Sequence, residues 1–170
     1  MCTSLDDTPG KQQGSTMIVT SKKSETAVRQ CPICECPVGH ELSVSANPRC
    51  PSCHNLLWCV KRTFGGVIVL DVISRRNPEY RGVHQLWDSL LRSGCGDSVV
   101  VNLSGLEHGD TELVARLITL KKAVDATGGR LALCGVCRSV REILSYTRLD
   151  RLLMTFKLES DALNAFCSEN

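Results

Sequence analysis

The sequence has few aromatic residues, little excess charge and no long hydrophobic run. Phe, Trp and Tyr make up only 4% of the 170 residues, which argues against a platform for stacking nucleic-acid bases. The formal net charge of +2 gives no strong attraction to nucleic acid or to anionic membranes. The longest apolar run, at 65–74, is interrupted by Asp71 and is far too short to span a bilayer.

Motifs typical of enzymes and of exported proteins are also missing. The chain has no phosphate-binding G-x-x-x-x-G-K-[ST] loop, no G-x-S-x-G elbow and no H-E-x-x-H motif. The polar N-terminal residues contain no signal-peptide core. We therefore expect a cytoplasmic protein that makes no contact with a membrane.

Residue patterning divides the chain into three parts. Residues 1–28 are polar with little to bury, which predicts a disordered tail. Residues 29–55 contain two pairs of cysteines, and residues 56–167 alternate between strand-like and helix-like patterns. Such alternation predicts an α/β layer fold: a mixed sheet of four or five strands with helices mainly on one face. Strands are predicted at 56–62, 66–73, 98–103, 130–135 and 152–157, and helices at 78–94, 109–127, 139–147 and 159–166.

Cysteine is abundant, with 11 in the chain, and four of them form two C-P-x-C pairs. Each C-x-x-C directs two thiolates to one point, and two such pairs form the closed tetrahedral site that structural zinc prefers. We therefore predict a zinc ribbon over 29–55, with Zn²⁺ held by Cys31, Cys34, Cys50 and Cys53. The alternatives are a redox dithiol, an iron–sulfur site or a ribbon that has lost its metal. Cys36, His40 and His54 are also close enough in sequence to replace a ligand.

Two further features admit more than one interpretation. Cys134 and Cys137 lie where a predicted buried strand leads into a helix, and they form either part of the core or a redox pair. Basic residues flank the ribbon and the first strands, and they indicate either a solvated surface or a nucleic-acid patch. These are Lys22, Lys23, Arg29, Arg49, Lys61, Arg62, Arg75 and Arg76.

The helix predicted from residue 109 begins unusually, with a hydroxyl between two carboxylates: Asp110, Thr111 and Glu112. Asp and Thr are both favourable N-cap residues, so capping alone explains the pattern. A second explanation is that Thr111 carries a regulatory phosphate, because a helix N-terminus binds phosphate favourably.

The order of motifs from about residue 56 to 167 resembles the STAS family, which includes bacterial anti-sigma factor antagonists and the tails of sulfate transporters. The resembling segments are VVVNLSG (99–105), the Asp110–Thr111 pair, GGRLAL (128–133), VREIL (140–144) and LDRLL (149–153). The resemblance implies a STAS-like domain at 56–167 that is a binding module and not an enzyme.

By this resemblance, Thr111 is the residue phosphorylated by a serine/threonine kinase that is also the anti-sigma factor. The partner-binding surface would comprise Gly109, Asp110, Thr111, Glu112 and Leu113, and phosphorylation would switch partners and thereby regulate transcription. Two residues depart from the family pattern: Glu112 follows the acceptor where a small residue is usual, and Asn102 replaces an Asp. The alternative function is a zinc-ribbon regulator that binds nucleic acid, with the α/β domain as scaffold.

Overall fold

The structure, a computed structural model, describes residues 28–39, 48–73 and 98–167. The predicted disordered tail, the predicted helix at 78–94 and His40 lie outside the described residues, apart from Val28 at the end of the tail. Those expectations therefore stay predictions.

A β-hairpin opens the α/β domain. Its strands β1 (Cys59–Phe64) and β2 (Val67–Val72) pair antiparallel with Phe64 opposite Val67. The predicted first strand began three residues too early, because Leu56 pairs with Arg49 inside the ribbon instead of joining the sheet. The predicted turn at 63–65 is likewise displaced: Gly65 and Gly66 form it, with φ of 55° and 83°. Two consecutive positive φ values are what a two-residue hairpin turn requires.

Three further strands continue the sheet: β3 (Ser98–Asn102), β4 (Arg130–Cys134) and β5 (Met154–Phe156). The strands lie in the order β1-β2-β3-β4-β5, and every pair after the hairpin is parallel. The central strands are rich in Val, Leu and Ile because both of their faces are covered. The predicted mixed sheet is confirmed.

Helices cover both faces of this sheet. Helices α1 (Thr111–Ala126) and α2 (Arg138–Tyr146) pack on one face, and α3 (Glu159–Cys167) packs on the other. A single 3-10 turn (Leu149–Arg151) leads into β5. The larger cluster joins α1 and α2 to the sheet, which confirms that the helices lie mainly on one face. The buried residues of α1 are Leu113, Val114, Leu117, Leu120 and Val124, as its periodicity predicts.

No helix within 28–39, 48–73 or 98–167 has both the length and the apolar character needed to cross a membrane. The longest of them, α1, has 16 residues.

Candidate functional site

The segment between β3 and α1 crosses the carboxyl-terminal edge of the sheet. The backbone N–H of Leu103 donates to the carbonyl oxygen of Cys134 at 2.9 Å. The backbone N–H of Leu106 donates to the carbonyl oxygen of Leu103, also at 2.9 Å. Both leucine side chains are buried, whereas Glu107 and His108 are exposed. The segment is therefore held from beneath while its outer side faces solvent.

Gly109 seats this segment against the start of α2. Its backbone N–H donates to Ser139 Oγ at 3.0 Å, and Cys137 Sγ lies 3.3 Å from the same hydroxyl. A Cβ atom at residue 109 would come within 2.2 Å of Val140 Cγ2, so only glycine fits this approach. Sequence reasoning missed Ser139; its only signal was a hydroxyl residue near the start of a predicted helix.

The cap of α1 is Asp110. Its side-chain Oδ1 accepts a hydrogen bond from the backbone N–H of Leu113 at 2.9 Å, and its backbone is extended, as an N-cap requires. Thr111 occupies the first helical position and is exposed. Because Asp110 does the capping, the hydroxyl residue is not needed for that purpose and stands on the surface.

The remaining two residues of the predicted partner-binding surface differ in accessibility. Glu112 is exposed and forms an ion pair with Arg116 one turn later, at 3.2 Å. Leu113 is only 1% exposed and belongs to the core beneath. The outer surface at this helix start is thus acidic and centred on Thr111, and its role in binding stays a prediction.

A polar network lies near the carboxyl-terminal ends of β2 and β3, beside the start of α3. Arg62 donates two hydrogen bonds to the Asp71 carboxylate, at 2.6 and 2.9 Å, and a third to Glu159 at 2.7 Å. Asn102 Nδ2 donates to Asp71 at 3.1 Å and to Glu159 at 2.8 Å, and its Oδ1 accepts from the Ser104 N–H. Hydrogen bonds to Asp71 and Glu159 raise the pKa of Arg62.

This network accounts for Asn102, which departs from the family pattern. An aspartate in its place would put a third carboxylate beside the two that share Arg62, whereas the amide donates to both. The sequence carried no signal of the network, because its members are brought together from β1, β2, β3 and α3.

The two cysteine pairs form matching knuckles, related by a shift of 19 residues. In the first, the N–H of Glu35 donates to the Cys31 carbonyl and the Cys31 N–H to the Cys36 carbonyl, both at 2.9 Å. In the second, the N–H of His54 donates to Cys50 and that of Cys50 to Asn55 in the same way. Glu35 and His54 have φ of 59° and 56°, so both knuckles turn through a left-handed residue after the second cysteine.

The knuckles bring together the four cysteines predicted to hold a metal. Their sulfurs all lie within 4.8 Å of one another. Cys31 and Cys53 are 3.8 Å apart and Cys34 and Cys50 3.5 Å apart, close to the S···S separation of about 3.8 Å in a tetrahedral ZnS₄ site. The backbone N–H groups of Ile33 and Cys53 donate to Cys31 and Cys50 sulfurs, as expected for thiolate ligands. This donor set fits a metal ion.

A fifth sulfur, that of Cys36, also reaches the cluster. It lies 3.2 Å from Cys50 Sγ, and this contact raises the pKa of Cys36 to about 12. Burial would raise the pKa of Cys50, but hydrogen bonds from the Cys53 N–H and from Cys36 outweigh it and lower that pKa to about 6. The two sulfurs are thus close enough to share a hydrogen bond.

Lys61 ties the ribbon to the sheet. Gln30 and Lys61 exchange two backbone hydrogen bonds, at 2.8 and 2.9 Å, and Lys61 Nζ pairs with Glu35 at 2.7 Å. Lys61 is 4% exposed. Since Lys61 and Arg62 are both paired with carboxylates, neither contributes free charge to the proposed nucleic-acid patch. Four of that patch's residues lie outside the described ranges: Lys22, Lys23, Arg75 and Arg76.

Cys134 and Cys137 pack in different clusters. Cys134 lies on the α3 face with Ala162 and Phe166, and burial raises its pKa to about 12. Cys137 is the N-cap residue of α2 and packs against the opposite cluster. This arrangement supports core packing over a redox pair.

Comparison with known proteins supports the fold of the α/β domain. Residues 78–155 match the family model described as "Mlab, STAS domain". The domain has the STAS fold. Residues 98–155 of the STAS match include the Asp110–Thr111 segment, the strands β3 and β4, and the first two residues of β5. No curated protein shows significant similarity to the chain.

Several solved structures share this fold at low sequence identity. A candidate anti-sigma factor antagonist from Thermotoga maritima is 20% identical with a TM-score of 0.53, covering 62% of this chain and 92% of that one. An anti-sigma-factor antagonist (STAS) domain protein from Planctomyces limnophilus is 23% identical with a TM-score of 0.54, covering 64% and 97%. RsbS of Moorella thermoacetica, in a serine-to-glutamate variant, is 21% identical with a TM-score of 0.54, covering 64% and 96%.

Proposed function

We propose that the STAS domain is a cytoplasmic protein-binding module, not an enzyme, that switches partners in the manner of an anti-sigma factor antagonist. Its partner is an anti-sigma factor or serine/threonine kinase, and the phosphate acceptor is Thr111. The observation that carries the proposal is the exposed hydroxyl of Thr111 at the first helical position, beside a cap that Asp110 already supplies.

The geometry of the helix start suits a phosphate switch. A phosphate on Thr111 gains from the free N–H groups and the dipole at the N-terminus of α1. It also adds nearly two negative charges between Asp110 and Glu112, and so repels a partner that had docked on the unmodified surface. The loop beneath is held by Gly109 and Ser139, so the charge changes the surface without unfolding it.

The carboxylate of Glu112, the residue that departs from the family pattern, does not take the position of a phosphate on Thr111. Its carboxylate pairs with Arg116, one turn towards the carboxyl end of α1, which draws its charge away from Thr111. The pair is exposed and contributes well under about 1 kcal/mol, so Glu112 remains available to a partner.

Phosphopeptide mass spectrometry of protein from its own cells, over residues 102–116, tests the acceptor directly. Binding of candidate kinases or anti-sigma factors to Thr111→Glu and Thr111→Ala then tests the switch. We expect Thr111→Glu to weaken binding at least about tenfold, as a like-charge effect, and Thr111→Ala to bind but resist regulation. The same substitutions at Thr119, exposed two turns away, serve as the control. Wild-type affinity for every partner in both Thr111 variants contradicts the proposal.

The ribbon, in the same proposal, holds one structural Zn²⁺ through Cys31, Cys34, Cys50 and Cys53. The metal joins two knuckles whose shared interior has few other residues. Four protein ligands leave no open position, so the ion stabilises the fold and performs no chemistry. Elemental analysis of purified protein tests this: one zinc per chain is expected, and iron in its place or no metal contradicts it.

A further inference from the structure

The two knuckles share two backbone hydrogen bonds and one left-handed residue, yet they differ in the residue that closes each one. Asn55 closes the second knuckle, and its Nδ2 donates to the sulfur of Cys53 at 3.4 Å. Cys36 occupies the equivalent position of the first knuckle. Its side chain contacts the sulfur of Cys50, in the other knuckle, at 3.2 Å. An amide in one half is thus replaced by a thiol in the other.

This difference gives the cluster five sulfurs for four tetrahedral positions. Four are explained by the metal, and an amide such as Asn55 would support them just as well by donating a hydrogen bond. A thiol can do one thing that an amide cannot: it can form a disulfide with the thiolate it contacts. Cys36 is half-buried and reachable from solvent, whereas Cys50 is fully buried.

We propose that the ribbon is a peroxide-sensitive metal site in which Cys36 and Cys50 form a disulfide and expel the metal ion. The inference rests on the zinc site proposed above. It adds a regulatory reaction, and it concerns the ribbon and not the Thr111 surface.

The reaction uses a hydroperoxide as oxidant. The sulfur of the Cys36 thiol attacks one peroxide oxygen and the O–O bond breaks. The sulfur becomes a sulfenic acid, and the thiol proton passes to the other oxygen, which leaves as water. The Cys50 thiolate then attacks the Cys36 sulfur, an S–S bond forms, and the S–O bond breaks to release a second water with a second proton. The two sulfurs lose two electrons and hydrogen peroxide gains them.

Metal release follows from the loss of one ligand. Once Cys50 is in the disulfide, three cysteines are left, and a closed four-sulfur site becomes an open one with weaker affinity. The change is adjacent to the domain contact, because Glu35 precedes Cys36 and pairs with Lys61 of β1. Oxidation therefore loosens the ribbon at the point where it joins the sheet.

The test uses the full zinc-loaded chain treated with hydrogen peroxide. Released zinc is followed with a colorimetric chelator, and disulfides are mapped by mass spectrometry of unreduced tryptic peptides. Cleavage after Arg29, Arg49 and Lys61 separates the two knuckles, so a Cys36–Cys50 bond links peptides 30–49 and 50–61. The test variant is Cys36→Asn, which copies the other knuckle, with Cys36→Ser as a second. Cys167→Ser, an exposed cysteine outside the cluster, is the matched control.

We expect wild type and Cys167→Ser to release one zinc ion per chain as the Cys36–Cys50 disulfide forms. Dithiothreitol should reduce the disulfide, and added zinc should then bind again. Both Cys36 variants should bind zinc fully and release it at least about tenfold more slowly. The inference is overturned if zinc is released at the wild-type rate in those variants, or if the disulfide that forms does not include Cys36. Either result leaves the zinc-site proposal standing. Loss of zinc binding in both variants overturns it too, because Cys36 would then be a ligand. Wild-type protein without zinc contradicts the zinc proposal itself.

Discussion

The ribbon and the STAS domain have very different interiors. The buried cluster around the two knuckles has five members. Three belong to the ribbon, namely the proposed ligands Cys31 and Cys50 and the aliphatic Val38, and the start of the α/β domain contributes Leu57 and Val60. The α1–α2 face of the domain alone buries a continuous cluster of 19 residues. The two parts are therefore stabilised differently: the domain by burial of apolar side chains, and the ribbon by the metal ion that its four cysteines are proposed to bind.

The largest expected effect breaks the ribbon and spares the domain. Cys31→Ser removes one ligand, and structural zinc supplies roughly 10 kcal/mol or more to such small units. We expect zinc binding to be lost and the amides of Cys36 and Val38 to exchange rapidly, while those of β3 and β4 stay protected. Hydrogen-exchange mass spectrometry measures both parts in one sample. If the domain loses protection together with the ribbon, the two form a single cooperative unit; Cys167→Ser is the control.

The converse substitution is expected to destabilise the domain and to leave the ribbon unchanged. Gly109→Ala places a Cβ atom 2.2 Å from Val140 Cγ2 and forces the loop off α2. We expect a loss of about 2 kcal/mol in the free energy of unfolding, with zinc content unchanged. Urea denaturation followed by circular dichroism measures it. Gly39→Ala, where a Cβ atom meets nothing within 4 Å, is the control, and equal losses at both glycines would refute the seating of the loop.

A smaller effect is expected at the polar network. Asn102→Asp adds a third carboxylate beside Asp71 and Glu159 and removes the amide that donates to both. We expect destabilisation of about 1–2 kcal/mol at neutral pH, from like-charge repulsion and lost hydrogen bonds. Repulsion raises the pKa of the new carboxyl in the folded state, so the penalty disappears as pH falls and grows as pH rises. Asn102→Ala separates the two causes, since its loss should not vary in this way.

The smallest effect concerns the helix cap. Asp110→Ala removes the acceptor for the Leu113 N–H and should cost about 1 kcal/mol in the free energy of unfolding. Asp110→Asn keeps a capping oxygen and should be close to wild type in the same urea titration. A similar loss in both variants would mean that charge at the helix dipole, and not the cap, stabilises this end of α1.

Sequence patterning predicts most of the STAS domain because its signals are local. The strands β3 and β4 are continuous apolar runs between polar residues, and the stripe on α1 repeats with the helical period. The start of β1 was misplaced for a physical reason: apolar residues continue without a break from Leu56 into the sheet, but the backbone of Leu56 pairs with Arg49 and not with β2.

The contacts of the candidate site also fall into those that sequence patterns predict and those that they do not. Cysteine spacing predicts which four sulfurs meet, since each knuckle is a local turn. The contact of Cys36 with Cys50 depends on how one knuckle faces the other, and the bonds among Arg62, Asp71 and Glu159 depend on long-range packing. Neither kind of contact has a spacing that a sequence can show.

The backbone pairing of Gln30 with Lys61 also affects the exposed edge of the sheet. A sheet exposes unpaired N–H and C=O groups along its outermost strands, and these are templates for association between chains. Here the ribbon covers the middle of the outer edge of β1. The opposite border, β5, offers only three residues and is followed by Lys157. The Gln30–Lys61 bridge thus occupies hydrogen-bonding groups of an edge strand that would otherwise face solvent.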